Sequence, residues 1–206
     1  MRTPSHWKPL SVLGIFIAAF ALVAPVMAGE SANFSKHFKK IAPEEIGESV
    51  FTLIGKDWNV TAAGSPANAM VNTFSGFGMV MDKPAAWNLL AANRYTLEKI
   101  QETGTYTMSF FEEKNRGDIL KFGKASGRNS DKMKETKLTP VTTPSGAPSF
   151  AEAKLVVEVR LLTISDIEPG KFTSKEMREF LEKGRDKEKG YHKLVFGEIV
   201  GVWRKK

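Results

Sequence analysis

Seven short stretches with strand chemistry limit what this chain can become. They are Val50–Ile54, Trp58–Ala63, Ala69–Phe74, Ala86–Ala92, Thr105–Phe111, Lys154–Ile164 and Lys193–Trp203. They are rich in Val, Thr, Phe and Trp, and bounded by Gly, Pro, Asn or Asp, as strands that double back on one another are. Helical patterns fill the gaps at Thr96–Glu102, Glu113–Phe122, Asn129–Lys137 and Phe172–Gly184, the last with Thr173 or Ser174 as cap. Pro43-Glu-Glu-Ile reads as one helical turn. Gly64-Ser-Pro-Ala-Asn68 reads as a turn, Ser75-Gly-Phe-Gly as a second, and Thr139–Pro148 as a joining loop. Many strands with few helices favour a closed antiparallel barrel, because closure removes exposed sheet edges. The 206 residues, 42% of them apolar, suffice for one such core.

The first 28 residues have a different character. Arg2, His6 and Lys8 precede an apolar run from Leu10 to Ala24, and Pro25-Val-Met-Ala28 follows. This is the order of a secretory signal cut after Ala28, leaving an exported chain, periplasmic or secreted, with no membrane segment. An uncleaved anchor is the alternative, but a bilayer span needs about 20 residues. Losing two bases, Arg2 and Lys8, lowers the formal net charge from +7 to +5. Gly29–Lys40 then forms a polar, flexible basic lead, and residues 41–206 form the domain. The chain has no cysteine, which removes disulfides, thiolate nucleophiles and Cys-ligated metals. His37 and His192, far apart, argue against a metal site. Without a basic face carrying interleaved aromatics, nucleic acid is not an expected partner.

Chemistry concentrates between Asn68 and Ile100. An amide- and hydroxyl-rich strand leads to an apolar strand, which ends in Arg94-Tyr95-Thr96 where a helical pattern starts. Amides, a hydroxyl and a guanidinium at a helix start suit a phosphate. An ordinary junction with a solvated Arg would have the same sequence. Ser126-Gly127-Arg128 offers a second such turn, with Gly127 free to aim its amides inward and Arg128 supplying charge. A helix-leading turn with a solvated Arg is again the plain alternative.

Several motifs in order carry a resemblance. They are Asn68, Met70, Val71, Thr73 and Phe74; Lys83-Pro84; Arg94-Tyr95-Thr96; Tyr106–Phe111; Gly123–Arg128 with Asp131-Lys132; and Tyr191-His192 leading to Gly197–Val200. This succession resembles the flavin reductase-like family of FMN-binding split barrels, particularly its flavoredoxin-type branch, over roughly Ile41 to Trp203. The resemblance implies a Greek-key antiparallel split β-barrel, mainly β with a few helices, and a homodimer with FMN near the interface. It places Arg94, Tyr95, Thr96, Ser126, Gly127 and Arg128 on the phosphate side. It places Asn68, Met70, Asn72, Thr73 and Phe74 on the ring side, with Asn68, Met70 and Asn72 facing one way and Val71 and Thr73 the other. The family usually has a hydroxyl at Val71, an indole at Phe74 and a lysine at Ala125.

The implied function is flavin-dependent oxidoreduction, with the cofactor supplying the redox chemistry. NAD(P)H or a protein donor would deliver the electrons. A non-enzymatic electron carrier and a barrel that has lost flavin are the other readings. His192 either approaches the flavin as a catalytic group or pins its loop by hydrogen bonding. Trp58, Trp87 and Trp203 read as core. Ser165–Tyr191 is long enough to cover the site or pack on a partner.

Overall fold

The computed structural model of the chain describes residues 28–46 and 59–206. Its strands are β1 (Phe38–Lys40), β2 (Asn59–Ala63), β3 (Ser65–Asn72), β4 (Ser75–Val80), β5 (Lys83–Leu90), β6 (Thr105–Phe110), β7 (Pro140–Thr142), β8 (Pro148–Phe150), β9 (Leu155–Asp166) and β10 (Lys193–Lys205). The α-helices are α1 (Ala28–His37), α2 (Tyr95–Thr103), α3 (Arg116–Lys121) and α4 (Lys175–Lys183). One antiparallel sheet runs β3-β2-β6-β9-β10-β5-β4, and β1 joins the C-terminal end of β10. The outermost strands, β3 and β4, are consecutive in the chain, so the sheet curls until Asn59 of β2 donates to Ser75 Oγ of β4 at 2.9 Å. The fold is a split β-barrel.

Strand β9 shows how the sequence builds two cores. Its first five residues are all buried, because both faces of the sheet are covered there. Leu155, Val157 and Val159 enter the barrel with Leu90, Ile100, Tyr106 and Met108. Val156 faces the other way, among Phe34, Phe111, Phe122, Phe150 and Trp203. This two-residue alternation follows from the pleat, and each fully buried aliphatic side chain contributes about 1.5–3 kcal/mol.

Several expectations are corrected. The lead at 29–40 is not a flexible tail: it forms α1 and β1. Phe34 and Phe38 are buried and stacked at 4.6 Å, with Trp203 edge-on to Phe34 at 5.3 Å. Two apolar anchors outweigh the surrounding charge. Ser75-Gly-Phe-Gly is strand β4 rather than a turn. A Cβ on Gly76 would lie 2.5 Å from the Trp87 indole, so that glycine marks a close approach. Trp87 accordingly lies across the outside of the sheet, 38% exposed, rather than in the core. The actual hairpin turn is Met81-Asp82, where φ is +48° and +60°.

At the other expected turn only Gly64 departs from strand, with φ +68°. Thr139–Pro148 contains β7, which pairs with β8. Asn129–Lys137 is no α-helix; it holds one 3-10 turn, Lys132–Glu135, capped by Asp131. Glu113–Phe122 is split between the 3-10 turn Glu113–Asn115 and α3. The signal at 1–28 (apart from Ala28), Val50–Ile54 and Trp58 lie outside the described residues.

Candidate functional site

Helix α2 starts where Thr96, Leu97 and Ile100 begin to fill the barrel side, and stops at Gly104, whose left-handed φ of +69° suits glycine. Its N-terminus is left open. Arg94 stands at the N-cap position in extended conformation and provides no side-chain cap. The amides of Tyr95 and Thr96 therefore remain available to an anion, while that of Leu97 donates to Arg94 O at 3.1 Å. The Arg94 side chain is exposed and has no hydrogen-bond or ion-pair partner among the described residues. Thr96 is buried, and its hydroxyl donates to Asn68 O at 2.5 Å, which ties α2 to the outer edge of β3.

The loop after α3 closes the opposite side. Gly127 packs so tightly that a Cβ would lie 3.0 Å from Ala67 O and 3.2 Å from Asn68 Oδ1. Ser126 Oγ accepts from Arg128 N at 3.2 Å, so its own O–H can still donate. The Arg128 guanidinium lies 4.9 Å from the Tyr95 ring centroid, donates to Asn93 O at 3.1 Å and pairs with Glu98. Lys132 follows the loop inward. Only 4% exposed, its ammonium donates to Ala69 O at 2.7 Å and Phe122 O at 3.1 Å. Burial, then the nearby Arg94 charge, push its pKa down to about 8.

These groups surround a pocket of about 340 Å³. Arg94, Lys124, Arg128 and Lys132 line it, together with Met70, Val71, Phe122 and Ala125 as apolar residues, and among the described residues no carboxylate does. Thus Met70, Arg94, Tyr95, Thr96, Ser126, Gly127 and Arg128 come together, and Asn68 touches the rim through Thr96 and Gly127. Met70 and Val71, on opposite faces, both reach the pocket because β3 is an end strand.

Asn72, Thr73 and Phe74 do not reach it. The Asn72 amide turns into the barrel and donates to Asn88 Oδ1 at 2.6 Å, while Asn88 donates to the Tyr106 hydroxyl at 3.1 Å. Asn72 also accepts from Phe74 N at 3.1 Å, holding the corner before β4. Thr73 is exposed. Phe74, 44% exposed, meets Phe180 of α4 edge-on at 5.6 Å. His192 is also outside the pocket lining. It is buried 6.0 Å from the Phe180 ring, and its Nδ1 has no hydrogen-bond partner among the described residues. Burial, then Arg94, lower its pKa, keeping the ring neutral at physiological pH. The ring does not pin the loop; the backbone does, with His192 O accepting from Ile167 N at 3.2 Å.

Residues 57–206 match the flavin reductase like domain. The chain belongs to the flavin reductase-like family. No curated protein matches it. Solved structures do. An FMN-binding protein from Thermus thermophilus with bound 1-cyclohex-2-enone is 19% identical, with a TM-score of 0.55 over 72% of this chain and 70% of that one. The flavoredoxin of Desulfovibrio vulgaris (Miyazaki F) is 21% identical, with a TM-score of 0.54 over 72% and 70%. An NADH:FAD oxidoreductase of Streptomyces globisporus C-1027 is 14% identical, with a TM-score of 0.54 over 73% and 78%. At these identities the likeness shows the split-barrel fold.

Two residues at the site of this flavin reductase-like domain, Lys132 in the pocket wall and Glu98 behind Arg128, escape sequence reasoning. Lys132 lies within the matched motifs, yet a lysine in a charged segment reads as solvated. Glu98 is legible only as a first-turn acid; its pairing with Arg128, thirty residues on, needs the fold.

Proposed function

We propose that the chain is an FMN-binding flavoprotein, a flavin-dependent oxidoreductase that works after export. Arg94 carries the proposal: among the described residues its guanidinium is unpaired, beside an uncapped helix start, in a pocket that they line with three further cations and no carboxylate. Such a set leaves positive charge uncompensated, and a phosphate dianion is the complement. The amides of α2, Arg94, Lys124, Arg128 and the Ser126 hydroxyl would hold the phosphate, with Lys132 adding charge from beneath. Met70 and Val71 offer the apolar wall a flavin ring needs. When bound, FMN supplies hydride or electron transfer. The residues of the chain bind it, orient it and exclude water from one side.

The family membership supports this assignment, as do the names of the solved structures, which include FMN-binding proteins and a flavoredoxin. The family resemblance supports a homodimer, and the composition of residues 1–28 supports export. Nicotinamides are largely cytoplasmic, so an exported member would draw electrons from a membrane or protein donor instead. The chain from Gly29 onward, purified, should bind FMN and riboflavin with measurable fluorescence quenching, FMN more tightly. Absence of FMN binding would remove the assignment. NAD(P)H consumption with added FMN then decides whether a nicotinamide can be the donor.

A further inference from the structure

Arg128 differs from Arg94 in having its charge already occupied. Its guanidinium pairs with Glu98 on α2, donates to Asn93 O and lies over Tyr95. Glu98 also receives Lys189 from the turn after α4. That turn is anchored a second time, since Asn93 donates to Asp186 Oδ2 at 2.9 Å. Asp186 also accepts from the amides of Glu188 and Lys189, at 3.0 and 2.8 Å. One carboxylate, Glu98, therefore joins a pocket cation to a segment distant in sequence. Hydrogen bonding from Lys189, then the Arg128 charge, lower the Glu98 pKa, so it is ionised throughout the physiological range.

We propose that Glu98 is a resident anion competing with the cofactor phosphate for Arg128. This rests on the pocket taking FMN. A dianion placed among Arg94, Lys124 and Lys132 attracts Arg128 more strongly than a single, partly exposed carboxylate does. As Arg128 turns to the phosphate, Glu98 loses one of two cationic partners and the Asn93 carbonyl loses its donor. Lys189 is then left as the partner of Glu98, so the carboxylate stays compensated. Linkage makes the effect reciprocal: whatever weakens the Glu98–Arg128 pair tightens the phosphate. Glu98 is thus a positioning residue, setting cofactor affinity without touching the cofactor.

The experiment compares wild type with Glu98→Gln, which keeps the shape and removes the charge. FMN and riboflavin titrations run in parallel on the two proteins. Glu98→Gln should tighten FMN by about three- to tenfold, the range for one partly exposed ion pair plus its geometry, and leave riboflavin unchanged. Equal FMN affinity in the two proteins, or equal tightening of FMN and riboflavin, overturns the proposal. If wild type binds riboflavin and FMN equally, or neither, the pocket assignment itself falls.

Discussion

Strand β3 ends in two polar clusters that solve opposite problems. At Asn72 the amide, Asn88 and Tyr106 are buried and joined in one chain of hydrogen bonds. Burial raises the Tyr106 pKa well above the usual tyrosine value, so its hydroxyl stays protonated, and Asn88 donates to its oxygen. Four residues earlier, at Asn68, the neighbouring charges remain open: Arg94 has no partner among the described residues, and no side chain caps the first amides of α2. Polar groups that satisfy one another serve the fold, because any unmade bond there costs desolvation. Polar groups left over at a surface pocket define what can bind. The difference lies in closure, not in residue type, since amides and hydroxyls occur in both places.

That contrast breaks most visibly at Asn88. Replacing it with Ala strands the Asn72 amide and the Tyr106 hydroxyl in the barrel, so Asn88→Ala should lose about 3–5 kcal/mol of stability. Urea denaturation measures this, and a loss under about 1 kcal/mol would mean the network is not closed. Arg94→Ala tests the other cluster. It should weaken FMN binding by about 2–4 kcal/mol, with riboflavin binding and the urea midpoint nearly unchanged. Equal loss for both flavins would move Arg94 from the phosphate to the ring.

The same contrast explains what was legible. Strands β5, β6, β9 and β10 and helix α2 follow from periodicity, because local pattern and tertiary burial agree there. Their boundaries shift by only a few residues. Arg94, Ser126 and Arg128 converge because two anion-suited turns lie on adjoining elements. Other features depended on contacts that no local window contains. Gly76 and Gly78 signal a turn by composition, yet Trp87 lying across Gly76 makes the segment a strand. Asn72 has the residue type of a ring ligand, but its partners Asn88 and Tyr106 come from β5 and β6. Phe34 is lost among lysines until Trp203 arrives from the far end of the chain. Lys132 is drawn inward by two carbonyls, one on β3 and one after α3, and the expected surface helix is reduced to a single turn.

Lys132 belongs to both clusters in kind, buried like the first and cationic like the second, and pH separates its two roles. Its folded pKa of about 8 lies below the ordinary 10.5. Below pH 8 both folded and unfolded chains carry the charge, and the cost of burying it is fully present. Between 8 and 10.5 the unfolded chain holds a proton that the folded chain has released, so wild-type stability should rise with pH. Relative to Lys132→Met the gain should be about 1–2 kcal/mol, read as the change in urea midpoint across that window. FMN affinity should move the other way, because the ammonium that assists the phosphate is lost. Wild type should bind FMN about three- to tenfold more weakly at pH 9.5 than at pH 7, and Lys132→Met should show little of that slope. Affinity profiles that run parallel in the two proteins, alongside diverging stability profiles, would leave Lys132 a support for the edge of β3 and place the phosphate beyond its reach.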